Sequence, residues 1–72
     1  MTDTKLLEEL ITKSGKTKKH LAARIGLTPA GFWNCRHNRA EFKASQINTL
    51  CEELGVTDPK QKEAIFFASV GA

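Results

Sequence analysis

A single glycine, Gly26, separates two short segments whose apolar residues repeat at helical spacing. Glycine accepts the left-handed backbone that a tight turn requires, and Ala22 is small enough for a second helix to cross closely. Seven positions at fixed offsets fit two short helices joined by such a turn: Leu21, Ala22, Ile25, Gly26, Leu27, Phe32 and Cys35. The spacing therefore predicts a helix-turn-helix over about residues 17–37.

The rest of the chain is also expected to be helical, since Gly and Pro fall between apolar segments and no alternating β-branched run occurs. A loop anchored by Phe42 precedes the fourth helix. In the fifth helix only one of Phe66 and Phe67 can face the core, and Val70 extends its apolar face. The sequence predicts one all-α domain, residues 1–72, built as a compact five-helix bundle. Its predicted N-caps are Thr17, Thr28, Ser45 and Asp58.

Positive charge is concentrated in the middle of the chain. Between Lys16 and Lys43 there are seven cationic residues and one acid, whereas the rest of the chain holds four lysines and seven acids. This distribution indicates a surface that faces a polyanion, with a solvated charged face as the alternative.

Several classes of protein do not fit this sequence. No apolar run has transmembrane length and no signal-peptide pattern is present, so we expect a cytoplasmic protein with Cys35 and Cys51 reduced. The two histidines and two cysteines match no zinc spacing. No nucleophile–base arrangement or Gly-rich phosphate loop stands out. We therefore expect no enzyme, no metal or other cofactor, no membrane contact and no small-molecule ligand.

The segment TKKHLAARIGLTPAGFWNCRHN, followed by SQINTLCEELGVT, resembles the Cro/CI-type (XRE-like) helix-turn-helix family of phage and bacterial regulators, over about residues 17–57. The resemblance implies a lambda-repressor-like fold of five helices and a role in a genetic switch. Taken whole, the chain resembles the phage antirepressors known as modulators of repression. That resemblance implies a heteromeric complex with a CI-type repressor, whose DNA binding the chain would block or alter.

The second helix of the predicted motif has little chemistry for reading bases. In a typical family member the residues at positions 28, 29, 30, 33, 34 and 37 face the major groove, and only three of them can hydrogen-bond to bases here. Trp33 lies two residues before Cys35, about 200° around a helix, so we expect it to be exposed as the anchor of a protein interface. The predicted interface residues are Thr28, Pro29, Ala30, Gly31, Trp33, Asn34 and His37. Acids at the rim could complement a basic repressor surface, and the candidates are Glu41, Glu52 and Glu53.

DNA contact by this chain remains an alternative. Trp33 could enter a DNA groove, or fold over Arg36 or Phe42 as a surface lid, instead of anchoring a partner. The resemblance implies phosphate contacts for Lys18 and Lys19, which lie where members of this family touch DNA phosphates, and the cations after the third helix could act in the same way: Arg36, Arg39 and Lys43. Phosphate contacts supply affinity without sequence information. These cations predict weak, salt-sensitive DNA binding, by the chain alone or jointly with the repressor. The second hypothesis is a Cro-like repressor that binds operator DNA directly, with the polar residues Thr28, Asn34 and His37 reading bases.

Overall fold

The predicted helices are all present in the computed structural model, which describes residues 1–68. They are α1 Thr4–Ser14, α2 Lys18–Arg24, α3 Pro29–Arg36, α4 Ala44–Leu54 and α5 Pro59–Phe66. No strand occurs within residues 1–68, so the prediction of an all-α five-helix fold is confirmed. In this part of the chain no helix is long and apolar enough to cross a membrane.

Three of the four predicted N-caps are confirmed. The side-chain oxygens of Thr17, Thr28 and Asp58 each accept a hydrogen bond from a backbone amide in the first turn of α2, α3 and α5. Ser45 is not a cap, because α4 begins at Ala44 with the preceding lysine in the cap position. The side-chain oxygen of Gln46 accepts from the backbone amide of Lys43 at 2.8 Å. This bond from the third helical position fixes the start of α4 earlier than the sequence predicted.

The connection between α2 and α3 is the tight turn predicted at Gly26. The φ angle of Gly26 is 72°, a left-handed conformation that glycine adopts without a steric penalty. The backbone amide of Leu27 donates to the carbonyl of Ala22 at 2.9 Å, which folds the chain back against α2. Four residues, 25–28, separate the two helices, as in helix-turn-helix units.

Each helix contributes to a single apolar core. Its largest fully buried side chains are Leu7 in α1, Leu21 in α2, Phe32 in α3, Leu50 in α4 and Ile65 in α5. The ring of Phe42, in the loop before α4, packs edge-on against Phe32 and Phe66, with ring centroids 6.2 and 5.6 Å away. The prediction that Phe42 anchors this loop is therefore confirmed. The aromatic contacts fix the loop after α3 relative to α5.

The first residues of the chain tie this loop to α5. The backbone amide of Thr2 donates to Oδ1 of Asn38 at 2.8 Å, and Nδ2 of Asn38 donates back to the carbonyl of Thr2 at 2.9 Å. The amide of Asp3 donates to the carbonyl of Ile65 at 2.7 Å. Through residues 2 and 3, these bonds hold the segment after α3 against the C-terminal end of α5.

Helix α5 ends at Phe66. Phe66 is buried, whereas Phe67 is 58% exposed. Successive residues on a helix point about 100° apart. Ile65 and Phe66 therefore both reach the core, whereas the side chain of Phe67 points to solvent. Val70, a predicted contributor to the same apolar face, lies outside the described residues.

Candidate functional site

The outward face of α3 brings the predicted interface residues together. The side chains of Phe32 and Cys35 point inward and are buried, which leaves the opposite side of this two-turn helix open to solvent. Gly31 is half-buried, and the six other predicted interface residues are exposed: Thr28, Pro29, Ala30, Trp33, Asn34 and His37. The surface that they form, called the α3 face below, is contiguous because all its members lie on α3 or its two caps.

Trp33 is the only large apolar side chain exposed on the α3 face among the described residues, with 42% of its surface accessible. Its indole stacks on the imidazole of His37, with ring centroids 4.2 Å apart and an interplanar angle of 30°. The guanidinium carbon of Arg39 lies 5.4 Å from the centre of the indole ring. The guanidinium of Arg36 lies over the ring of Phe32, and the ring partners of Trp33 are His37 and Arg39. The indole is thus held between two polar neighbours and still presents a substantial surface to solvent.

The start of α3 is flat because it carries no side chain at Gly31. A Cβ at this position would lie 3.2 Å from Oγ1 of Thr28, the oxygen that accepts the capping bond from the Gly31 amide at 3.0 Å. A larger residue would therefore crowd the N-cap. Within residues 1–68, the side chains of Asn34 and His37 form no hydrogen bond and are available to a partner.

Arg36 is not a phosphate contact, contrary to the sequence prediction. It is only 5% exposed, and its Nη1 donates to Oε1 of Glu8 on α1. Arg36 lies four residues, about one helical turn, after Phe32, so its side chain falls on the inward side of α3. Glu8 supplies the counterion that a buried guanidinium needs. Its Nε has no hydrogen-bond partner within the described residues. Arg36 therefore joins α3 to α1.

The four other predicted phosphate contacts differ in whether a carboxylate pairs with them. Nζ of Lys18 lies 3.0 Å from Oε2 of Glu8, although its side chain remains half exposed. The cations Lys19, Arg39 and Lys43 are exposed and have no carboxylate partner in the part of the chain that the structure describes. Three of the five predicted phosphate contacts thus remain unpaired.

The ion pairs of Glu8 with Lys18 and Arg36 form one cluster. A second cluster, around Glu53 on α4, was not predicted from the sequence. Oε2 of Glu53 lies 2.5 Å from Nζ of Lys16, and Oε1 lies 2.5 Å from Nε of Arg24. Nε2 of His20 lies 3.8 Å from the same carboxylate. Glu53 is therefore engaged within the chain, whereas the other predicted rim acids, Glu41 and Glu52, are exposed.

Both clustered glutamates are stabilised as carboxylates. Burial opposes the ionisation of Glu8, but hydrogen bonds from Lys18 and Arg36 outweigh it and lower the pKa of its carboxyl group. Hydrogen bonds from Lys16 and Arg24 lower the pKa of Glu53 to about 2. Both groups are charged at neutral pH and neutralise part of the basic segment.

The cysteines offer no reactive site. Cys35 and Cys51 are buried and unpaired, and burial raises the pKa of both thiols, which disfavours the nucleophilic thiolate. Nor do three or more His, Cys, Asp or Glu side chains converge as metal ligands anywhere in residues 1–68.

Comparison with known proteins found no match: no family model, no curated protein and no solved structure shows significant similarity to the chain.

Proposed function

We propose that the chain is a Cro/CI-type transcription regulator of a phage genetic switch that acts as an antirepressor in the bacterial cytoplasm. It binds a CI-type repressor through the α3 face and blocks or alters the DNA binding of that repressor. The proposal combines the resemblance of residues 17–57 to this family with the chemistry of the α3 face. It involves neither catalysis nor a cofactor.

The exposure of Trp33 is the observation that carries the proposal. Tryptophan is enriched at the centres of protein interfaces, where its truncation often costs about 2 kcal/mol or more. The indole is already oriented by His37 and Arg39, at 4.2 and 5.4 Å from its ring, so less side-chain freedom is lost on binding. The small residues at the start of α3 leave space around it for a partner to approach.

The α3 face is poorly suited to reading bases. Direct readout depends on side chains that form paired hydrogen bonds with base edges, most often Arg, Lys, Asn or Gln. On this face only Asn34 belongs to that set, since Arg36 is buried. The hydroxyl oxygen of Thr28 already accepts the capping bond. Sequence-specific affinity for DNA is therefore expected to be small.

The partner is expected to meet the α3 face mainly through apolar and uncharged polar groups. A repressor surface that reads DNA is itself basic, and the exposed cations of this chain would repel it. Glu53 is occupied by Lys16 and Arg24 and contributes little complementary charge. Close packing around Trp33 must therefore supply most of the affinity.

A Cro-like repressor is the second candidate. It is favoured by the free hydrogen-bonding groups of Asn34 and His37, and by three cations without a carboxylate partner among the described residues. In this case the α3 face would read operator bases while Lys19, Arg39 and Lys43 contact phosphates.

Mixing the chain with its candidate partners separates these two functions. The chain is combined at physiological salt with the CI-type repressor of the same switch, and separately with operator DNA. Under the antirepressor proposal it comigrates with the repressor in size-exclusion chromatography and gives no tight, sequence-selective shift of operator DNA by itself. A nanomolar, sequence-selective shift by the chain alone contradicts the proposal and supports the Cro-like candidate.

A further inference from the structure

Two glutamates outside the basic segment pair with most of its cations. Glu53, on α4, contacts Lys16 and Arg24, which flank and end α2. Glu8, on α1, contacts Lys18 and the buried Arg36. Four of the seven cations between residues 16 and 43 therefore have an internal carboxylate partner. The surface that the sequence presents as strongly basic is partly neutralised by the fold.

We propose that Glu53, assisted by Glu8, is a specificity-determining residue that occupies these cations internally and so disfavours DNA phosphates as ligands of the chain. The role extends the proposed function, because a regulator that acts on a protein gains selectivity when its affinity for bulk DNA is low. A phosphate that binds Lys16 or Arg24 must compete with a carboxylate that already neutralises them. The carboxylates of Glu53 and Glu8 thus take the positions at the cations that DNA phosphates would otherwise occupy.

The geometry around Glu53 makes this displacement unfavourable. An isolated pair on a protein surface contributes little, because water and salt screen it, but a network around one ordered carboxylate is stronger. The side chain of Glu53 is only 13% exposed. Nζ of Lys16 also donates to the backbone carbonyl of Glu53 at 2.7 Å, which fixes the lysine at two points. Arg24 approaches the other carboxylate oxygen, so both oxygens are occupied.

Glu8 contributes to the same masking but is a poorer test residue. It holds the ammonium of Lys18 and also the buried guanidinium of Arg36. Its removal would leave Arg36 buried without a counterion, so a change in DNA binding would be mixed with a loss of stability. Glu53 has only exposed cations as partners, and its replacement frees them without leaving a charge in the core.

The first test compares Glu53→Gln with Glu52→Gln on a short duplex DNA of arbitrary sequence. Both variants lose one negative charge from α4, but Glu52 is exposed and has no cation partner among the described residues. Fluorescence anisotropy is measured between about 50 and 200 mM salt. We expect Glu53→Gln to bind roughly 3- to 10-fold more tightly than Glu52→Gln at low salt, with a salt slope steeper by about one to two units. Equal affinities and equal slopes for the two variants would overturn the proposal.

A second test leaves Glu53 in place and therefore does not depend on the folding of its variant. Lys19 is exposed without a carboxylate partner in residues 1–68, whereas Lys16 and Arg24 are paired. We expect Lys19→Ala to weaken DNA binding more than Lys16→Ala or Arg24→Ala. Equal losses in all three variants would show that the paired cations reach phosphates as readily as the unpaired one, which contradicts masking. Both tests use DNA without repressor, so this proposal and the antirepressor function can fail separately.

Discussion

Arg36 is a charged residue placed in an apolar interior, and this placement decides how α3 is held. Its guanidinium carbon lies 4.9 Å from the ring centre of Phe32, and its Nη1 donates to Glu8. The Nε atom has no partner within residues 1–68. A buried charge depends strongly on its counterion, because removal of one partner leaves the other uncompensated. The Glu8 carboxylate therefore contributes to holding the α3 face against α1, together with the apolar core.

We expect Glu8→Gln to lower the free energy of unfolding by about 1–3 kcal/mol, less than for a fully buried pair, because Glu8 is partly exposed to solvent. Urea unfolding followed by circular dichroism measures the change. Glu9→Gln is the matched control, since Glu9 is the exposed neighbour on the same helix and should change stability by no more than about 0.5 kcal/mol. Identical unfolding midpoints for the two variants would show that Arg36 does not need this counterion.

At the level of helices, local chemistry was enough to predict most boundaries. Thr17, Thr28 and Asp58 cap their helices because each places a side-chain oxygen next to free amides in the first turn. Ser45 has the same chemistry, yet Gln46 bonds to the amide of Lys43 and α4 starts one residue before Ser45. Ser45 and Gln46 both carry an oxygen that can bond to a backbone amide at the start of α4, and the sequence alone does not indicate which of the two does so.

The candidate site was predictable only in part. Features set by neighbours on one helix could be predicted, whereas contacts between residues far apart in the sequence could not. The exposure of Trp33 followed from its angle to Phe32 and Cys35 on one helix, and it is observed. The pairing of Arg36 with Glu8 joins residues 28 positions apart, and that of Lys16 with Glu53 joins residues 37 apart. Helical periodicity contains no information about which residues meet across a bundle. The sequence therefore located the cations but not their partners.

Across the whole molecule, the two glutamate clusters connect all four helices that precede α5. Glu8 on α1 contacts cations of α2 and α3, and Glu53 on α4 contacts cations on and next to α2. These contacts stabilise the arrangement of the small bundle, in addition to the core, and they lower its effective positive charge. The same clusters thus influence both stability and the choice of partner.

The cluster at Glu53 gives the folded chain a defined response to acid. The pKa of the Glu53 carboxyl falls from 4.5 to about 2 in the folded state. The carboxylate therefore stabilises the fold fully above about pH 4.5 and progressively less as the pH falls towards about 2. We expect wild type to melt at a higher temperature than Glu53→Gln at neutral pH, and the difference to shrink across this interval. Melting temperatures at several pH values measure it. A difference that stays constant down to about pH 2 contradicts the assigned ion pairs.

Calorimetric titration of the CI-type repressor with three forms of the chain tests the central claim, that the α3 face binds this protein. The forms are wild type, Trp33→Ala and Phe67→Ala. Trp33 and Phe67 are both exposed aromatic residues, at 42% and 58%, but only Trp33 lies on the α3 face. We expect Trp33→Ala to weaken binding by roughly 30-fold or more while Phe67→Ala retains wild-type affinity. Wild-type affinity of Trp33→Ala, with its fold intact, would contradict the claim.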